Sequence, residues 1–214
     1  MKLKTKKKII LVLSFCFMVS NFHSVYAQSN KDKYQQHTGF FLSMAAGPAF
    51  GKITSDMGHE QVEMSGTGGK FDFKIGGAVK ENLILHATMI ATMLTGPTVK
   101  SSYGGSGKTD NNISITENML IGGGLTFYIM PSNLFLSGSL GLGNYSLTDL
   151  NNNINGSTNN GFSMQLKVGK EWWVSRKWGL GIALTYGKTF VDRNDVNEKL
   201  NSNRFGILFN ATLN

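Results

Sequence analysis

Residues 169–187 read GKEWWVSRKWGLGIALTYG, and the two halves of this stretch decide the fold. In the second half Trp178, Leu180, Ile182, Leu184 and Tyr186 alternate with Gly179, Gly181, Ala183, Thr185 and Gly187. A period of two is the period of a β-strand, whose successive side chains point to opposite faces. The first half continues the same rhythm from upstream: Phe162, Met164, Leu166, Val168 and Trp172 alternate with Ser163, Gln165, Lys167, Gly169 and Glu171. Between the halves, Ser175-Arg176-Lys177 leaves room only for a tight turn. The stretch is a strand, a turn and a strand, each strand with one bulky and one sparse face.

Working outward, the same alternation recurs and predicts eight strands, at 38–50, 69–79, 83–94, 113–129, 134–145, 162–174, 178–190 and 204–213. Three connections are short, around Lys80-Glu81-Asn82, Pro131-Ser132-Asn133 and Ser175-Arg176-Lys177. Four are long and polar, at 51–68, 95–112, 146–161 and 191–203. The third includes NNNINGSTNNG, a low-complexity tract with little means of packing. Neither helical periodicity nor an apolar run of helix-spanning length is present. The 26 glycines argue against long helices, and the 41% hydrophobic content argues against disorder.

The N-terminus reads as a secretory leader over residues 1–27. Lys2, Lys4, Lys6, Lys7 and Lys8 precede the apolar run IILVLSFCFMVS, and Val25-Tyr26-Ala27 offers a cleavage site. The run is too short to span a bilayer. Its Cys16 is the one cysteine of the chain and follows a bulky Phe15, which argues against lipidation. The mature chain therefore has no disulfide and no thiolate metal site. The leader holds five of the 21 basic residues and no acidic one, leaving 16 basic against 13 acidic, or +3. The high overall pI is mostly the leader's, and nucleic acid is not an expected partner. Residues 28–37 (QSNKDKYQQH) read as a polar tail, and residues 38–214 as the strand domain.

A soluble barrel and a membrane barrel share this rhythm, and the two faces separate them. The sparse face is mostly Gly, Ala, Ser and Thr, which suits the crowded interior of a small barrel and makes a poor water-facing surface. The bulky face carries Leu, Ile, Phe and Met, as contact with acyl chains requires. Phe40, Phe127, Trp172 and Trp178 fall at the short-turn ends of strands, and Phe50, Phe71, Phe162, Phe190 and Phe205 near the long-loop ends. Two such rings match the aromatic girdles of a transmembrane barrel. Glu117 and Lys170 fall badly, on the outward parity. The expected fold is all-β: an eight-stranded antiparallel up-and-down transmembrane β-barrel with short periplasmic turns and long extracellular loops.

This pattern resembles the small outer-membrane β-barrel superfamily of Gram-negative bacteria, through residues 38–214 and the hairpin quoted above. The resemblance implies the bacterial outer membrane as location, outer-membrane lipid and lipopolysaccharide as surroundings, and the barrel-assembly machinery as partner during insertion. The last-strand signal of that family is matched loosely by Arg204, Gly206, Phe209 and Ala211, without the usual terminal aromatic.

On the inward parity lie Lys70, Asp72, Lys74, His86, Lys167 and Glu171. Charges there must be paired or wet. They read either as a plug of ion pairs or as a narrow polar conduit. The tract YGGSGKTD lacks the leading glycine of a phosphate loop and its strand–loop–helix setting. No nucleophile–base constellation and no metal-ligand cluster stands out, so no cofactor is expected. The expectation is a monomeric, non-enzymatic anchor displaying its loops for adhesion, interaction or envelope integrity. A narrow transporter for a small or hydrophobic solute and a lipid-modifying enzyme are the alternatives.

Overall fold

The computed structural model describes residues 35–193 and 196–214; the leader, its cleavage site and most of the polar tail lie outside them. The described residues form ten strands: β1 (Phe40–Asp56), β2 (Gln61–Lys80), β3 (Leu83–Ser101), β4 (Ser106–Lys108), β5 (Ile113–Ile129), β6 (Leu134–Asp149), β7 (Ile154–Ser157), β8 (Gly161–Trp173), β9 (Trp178–Arg193) and β10 (Glu198–Leu213). All pairings are antiparallel. They run β1–β2–β3–β5–β6–β8–β9–β10, and β10 returns to β1 with Leu42 opposite Leu213 and Asp56 opposite Lys199. The strands thus form a ring, which leaves no long edge. The short β4 and β7 pair only with β3 and β6.

Those two extra strands lie inside stretches expected to be loops. Most of 51–68 and 191–203 is also strand, with Lys52 opposite Ser65 and Leu200 opposite Val191. Here the period of two runs through polar residues, so hydrophobicity does not reveal it. The asparagine tract is ordered as well. β7 pairs with β6, and Asp149 accepts from the side-chain amide of Asn152 at 2.8 Å and from the N–H of Asn151 at 2.9 Å. These donors hold the exposed Asp149 carboxyl below its ordinary range. YGGSGKTD forms the β3–β4 hairpin, with Gly104 and Gly105 at positive φ, and no helix follows it. The three short turns stand where the sequence puts them, and Asn82 and Asn133 adopt left-handed backbone in two of them.

β5 carries a parity break. Met119 pairs with Gly143 and Ile121 with Leu142, so Leu120 is an extra residue; the same slip appears against β3, between Thr88 and Ile90. This is a β-bulge. Leu120 and Ile121 are both exposed, while Ile115, Glu117 and Met119 turn inward. The expected outward placement of Glu117 is therefore wrong, because one inserted residue reverses the faces of everything N-terminal to it.

Candidate functional site

The sparse faces of the strands meet inside the ring. Interior side chains fill it in layers. At the short-turn end Phe41, Ile84, Tyr128, Phe135 and Ala183 form an apolar cluster. At the hairpin end Ile53, Ile115, Tyr145, Val191 and Leu200 form a second. The glycines between strands make this filling possible. A Cβ on Gly169 would lie 2.7 Å from the Phe135 ring, and one on Gly181 the same distance from Glu171 Cγ. Large and absent side chains face each other, which is how a narrow ring reaches native packing density.

Between the apolar clusters lies a charged layer. Lys70, Asp72, Lys74, His86, Lys167 and Glu171 are all buried. Asp72 sits 3.4 Å from Lys74 Nζ and 3.2 Å from Lys167 Nζ, and accepts from Gln165 at 2.9 Å. Lys74 also donates to Ser139 at 3.0 Å. His86 is held through both ring nitrogens, by Thr88 at 2.8 Å and Thr126 at 3.0 Å. Lys70 threads past two glycines: Cβ atoms there would lie 3.7 Å from its Nζ at Gly187 and 3.4 Å from its Cδ at Gly206. Glu171 is met by neutral donors, Thr212 at 2.7 Å, Asn210 at 3.3 Å and Tyr128 at 3.3 Å. A cavity of about 10 Å³ lies among Lys74, Lys167, Glu171 and the Phe41 cluster, room for about one water.

A second interior pair escapes the sequence. Arg204, fully buried, places Nε 2.9 Å from Glu117 Oε2, and Glu117 also accepts from Thr189 Oγ1 at 2.8 Å. The strand parity of Arg204 was readable, but its partner was hidden by the bulge. The run Ile121-Gly122-Gly123-Gly124, next to a carboxylate on the wrong face, was the available signal.

Both mouths are covered. At the short-turn end His37, the last residue of the expected polar tail, is fully buried. Its ring stacks on Tyr128 with centroids 3.4 Å apart, and its two nitrogens lie 2.8 Å from the Oδ1 atoms of Asn133 and Asn214. Its backbone N–H donates to Asn82 Oδ1 at 3.1 Å, and Gln35 donates to the carbonyl of Arg176 at 2.7 Å. Residues 35–37 therefore strap together all three short turns and the last residue. At the hairpin end, Glu198 accepts from Ser55 at 2.5 Å and from Arg193 at 2.9 Å, beside the buried Val191 and Leu200.

The outer wall is bulky and apolar. Phe40, Phe50, Phe71, Phe127, Phe162, Trp172, Trp178, Phe190 and Phe205 all face out, between 38% and 55% exposed. Phe205 stacks on Phe50 and contacts Tyr186, forming one aromatic arc near the hairpins. Two lysines interrupt this wall. Lys170 lies on β8 opposite Leu134 and Ile182, with its ammonium 5.7 Å from the Trp172 ring centroid. Lys188, on β9, holds its ammonium 4.8 Å from the Phe190 ring. In each case the ring is two residues further along, but β8 and β9 run oppositely. Lys170 thus reaches toward the short turns and Lys188 toward the hairpins.

No protein-family model matches the sequence, and no curated protein matches it. Solved structures do. Neisserial surface protein A superposes with a TM-score of 0.55 at 15% identity, over 82% of this chain and 97% of that one. The outer membrane protein OprG from Pseudomonas aeruginosa superposes with a TM-score of 0.51 at 14% identity, over 85% of this chain and 99% of that one. At such identities the likeness establishes the fold. The structural neighbours are bacterial outer-membrane proteins.

Proposed function

We propose that this chain, which has the fold of small outer-membrane β-barrel proteins, is an eight-stranded transmembrane barrel that anchors its four hairpins on the bacterial cell surface. It acts there without catalysis, in adhesion, interaction or envelope integrity. The observation that carries this reading is the filled interior. An apolar cluster and the His37 strap close one end, a second apolar cluster closes the other, and paired charges occupy the space between.

The wall supports the membrane setting. From Phe40 to Phe50 a strand rising about 3.3 Å per residue covers roughly 33 Å, and a tilt of about 40° reduces this to about 25 Å, the height of an outer-membrane apolar band. Phe162 and Trp172 have the same spacing. Two wall lysines reaching in opposite directions are what a slab of hydrocarbon between two polar surfaces demands. The ring is the form such a slab permits, since hydrocarbon offers no partner to an open edge.

Planar-bilayer recording tests the reading. The anchor predicts no steady conductance in the wild-type chain and none in Lys74→Glu. A steady conductance that Lys74→Glu alters would favour the narrow transporter. Unchanged lipid A mass on overexpression is expected, and a modified lipid A would point to the enzyme. Recovery of the folded chain from periplasm without detergent would overturn the membrane setting.

A further inference from the structure

We propose that the β8–β9 turn is a headgroup site for an anionic phospholipid, formed by Lys170, Arg176 and Lys177 beside Trp172 and Trp178; this rests on the membrane reading above. The charges at the short-turn end are unevenly spread. The β2–β3 turn carries Lys80 and Glu81, which cancel, and the β5–β6 turn, Met130 to Asn133, carries none. The β8–β9 corner carries three cations, Lys170, Arg176 and Lys177, and its one anion, Glu171, is buried in the interior away from them.

The local geometry fixes that corner at the lipid boundary. Trp172 and Trp178 are both outward and partly exposed, and Val174 is exposed between them. Lys170 starts two residues nearer the centre of the wall than Trp172, and its ammonium is drawn back over that ring. The turn itself is pinned. Ser175 Oγ accepts from the N–H of Trp178 at 3.1 Å, Val174 N–H donates to the Trp178 carbonyl at 2.9 Å, and Gln35 holds the Ser175 and Arg176 carbonyls. With its backbone groups engaged internally, the turn offers outward the exposed side chains of Arg176 and Lys177. A phosphodiester at this level would meet guanidinium and ammonium donors, while its acyl chains lie along Trp172, Leu180 and Trp178. Arginine suits the planar, two-point recognition of phosphate oxygens, and lysine adds point charge.

The chain has three tryptophans, Trp172, Trp173 and Trp178, so selectively excited tryptophan emission reports on this corner alone. The full mature chain is reconstituted in phosphatidylcholine vesicles containing acyl-brominated phosphatidylglycerol or, at equal mole fraction, acyl-brominated phosphatidylcholine. A basic side chain near an anionic surface is worth about fivefold in affinity. Quenching curves should therefore give phosphatidylglycerol a preference of about fivefold or more. Lys170→Gln/Arg176→Gln/Lys177→Gln should bring the preference close to unity, with folded-band migration unchanged. Lys80→Gln, on another turn, should leave it intact.

Equal quenching by the two lipids in the wild-type chain would overturn the site. So would a preference that survives the triple substitution or disappears with Lys80→Gln. A preference lost in inorganic phosphate but kept in chloride of matched ionic strength would assign the corner to free phosphate and overturn the lipid assignment. Absence of quenching by either lipid is a different failure: it would remove the tryptophans from the bilayer and with them the membrane reading itself.

Discussion

The bulge at Leu120 decides the sign of a measurable effect at Glu117. With unbroken alternation along β5, Glu117 would face lipid, and Glu117→Gln would remove a charge from an unfavourable surface and stabilise the fold. With the bulge, Glu117 lies inside, 2.9 Å from an Arg204 that is fully buried. Removing one partner of such a pair leaves the other charge buried without compensation, a loss of about 3–5 kcal/mol. Glu117→Gln keeps the shape and an acceptor for the Thr189 hydroxyl, so most of that loss is electrostatic. Arg204→Met should cost a similar amount. The double variant carries neither charge and should recover most of the loss, since an apolar replacement of a buried pair is often neutral or better. The assay is urea unfolding of the chain refolded in lipid vesicles, followed by tryptophan emission and by the folded fraction on gels. Single-variant losses that simply add, or a stabilised Glu117→Gln, would refute both the bulge and the pair.

Further outcomes follow from the same geometry. His37→Ala removes two side-chain hydrogen bonds and a stacked ring from the turn-end strap, and should lower stability by about 2–3 kcal/mol in the same unfolding assay. Gly124→Ala places a Cβ 2.1 Å from the Gly138 carbonyl oxygen and 2.8 Å from His86 Cε1, so β5 must shift, at a cost of about 1–3 kcal/mol in unfolding. Spin labels at Leu180, Ile182 and Leu184 should be relaxed by oxygen dissolved in lipid, and one at Thr185 should be shielded from it; the reverse pattern would turn the sheet inside out.

What the sequence reveals about the fold depends on which residues carry the alternation. Along β9, bulky and sparse residues alternate without exception from Trp178 to Thr185, so the strand and its faces can both be read. Along β5, Met119-Leu120-Ile121 is apolar at every position, and an extra residue changes no count of large against small. The hairpins fail to show for the opposite reason. Lys52, Thr54 and Ser55 pair with Ser65, Glu63 and Val62 in regular register, but both faces there are polar enough to read as loop. Periodicity in hydrophobicity detects the part of a strand that divides oil from a crowded interior, and stops where both sides are polar.

The charged interior was legible only in part as a set of residues, since Glu117 was read outward, and not as an arrangement. Parity alone puts Lys70, Asp72, Lys74, His86, Lys167 and Glu171 on one side of the sheet, yet it does not say which strands come opposite across the ring. Asp72 meets Lys167 from a strand 95 positions away, and Glu171 meets hydroxyl and amide donors in place of a cation. The sparse face also misleads if it is read as empty. Gly169 and Gly181 are small because Phe135 and Glu171 occupy the volume their side chains would need. A ring of this size is therefore filled by its largest inward residues, with glycine set where they land. Transport would have to displace Phe41, Tyr128 and Phe135 at one end and Ile53, Tyr145 and Leu200 at the other, against close packing at both. The proposed display on the hairpins requires no such movement.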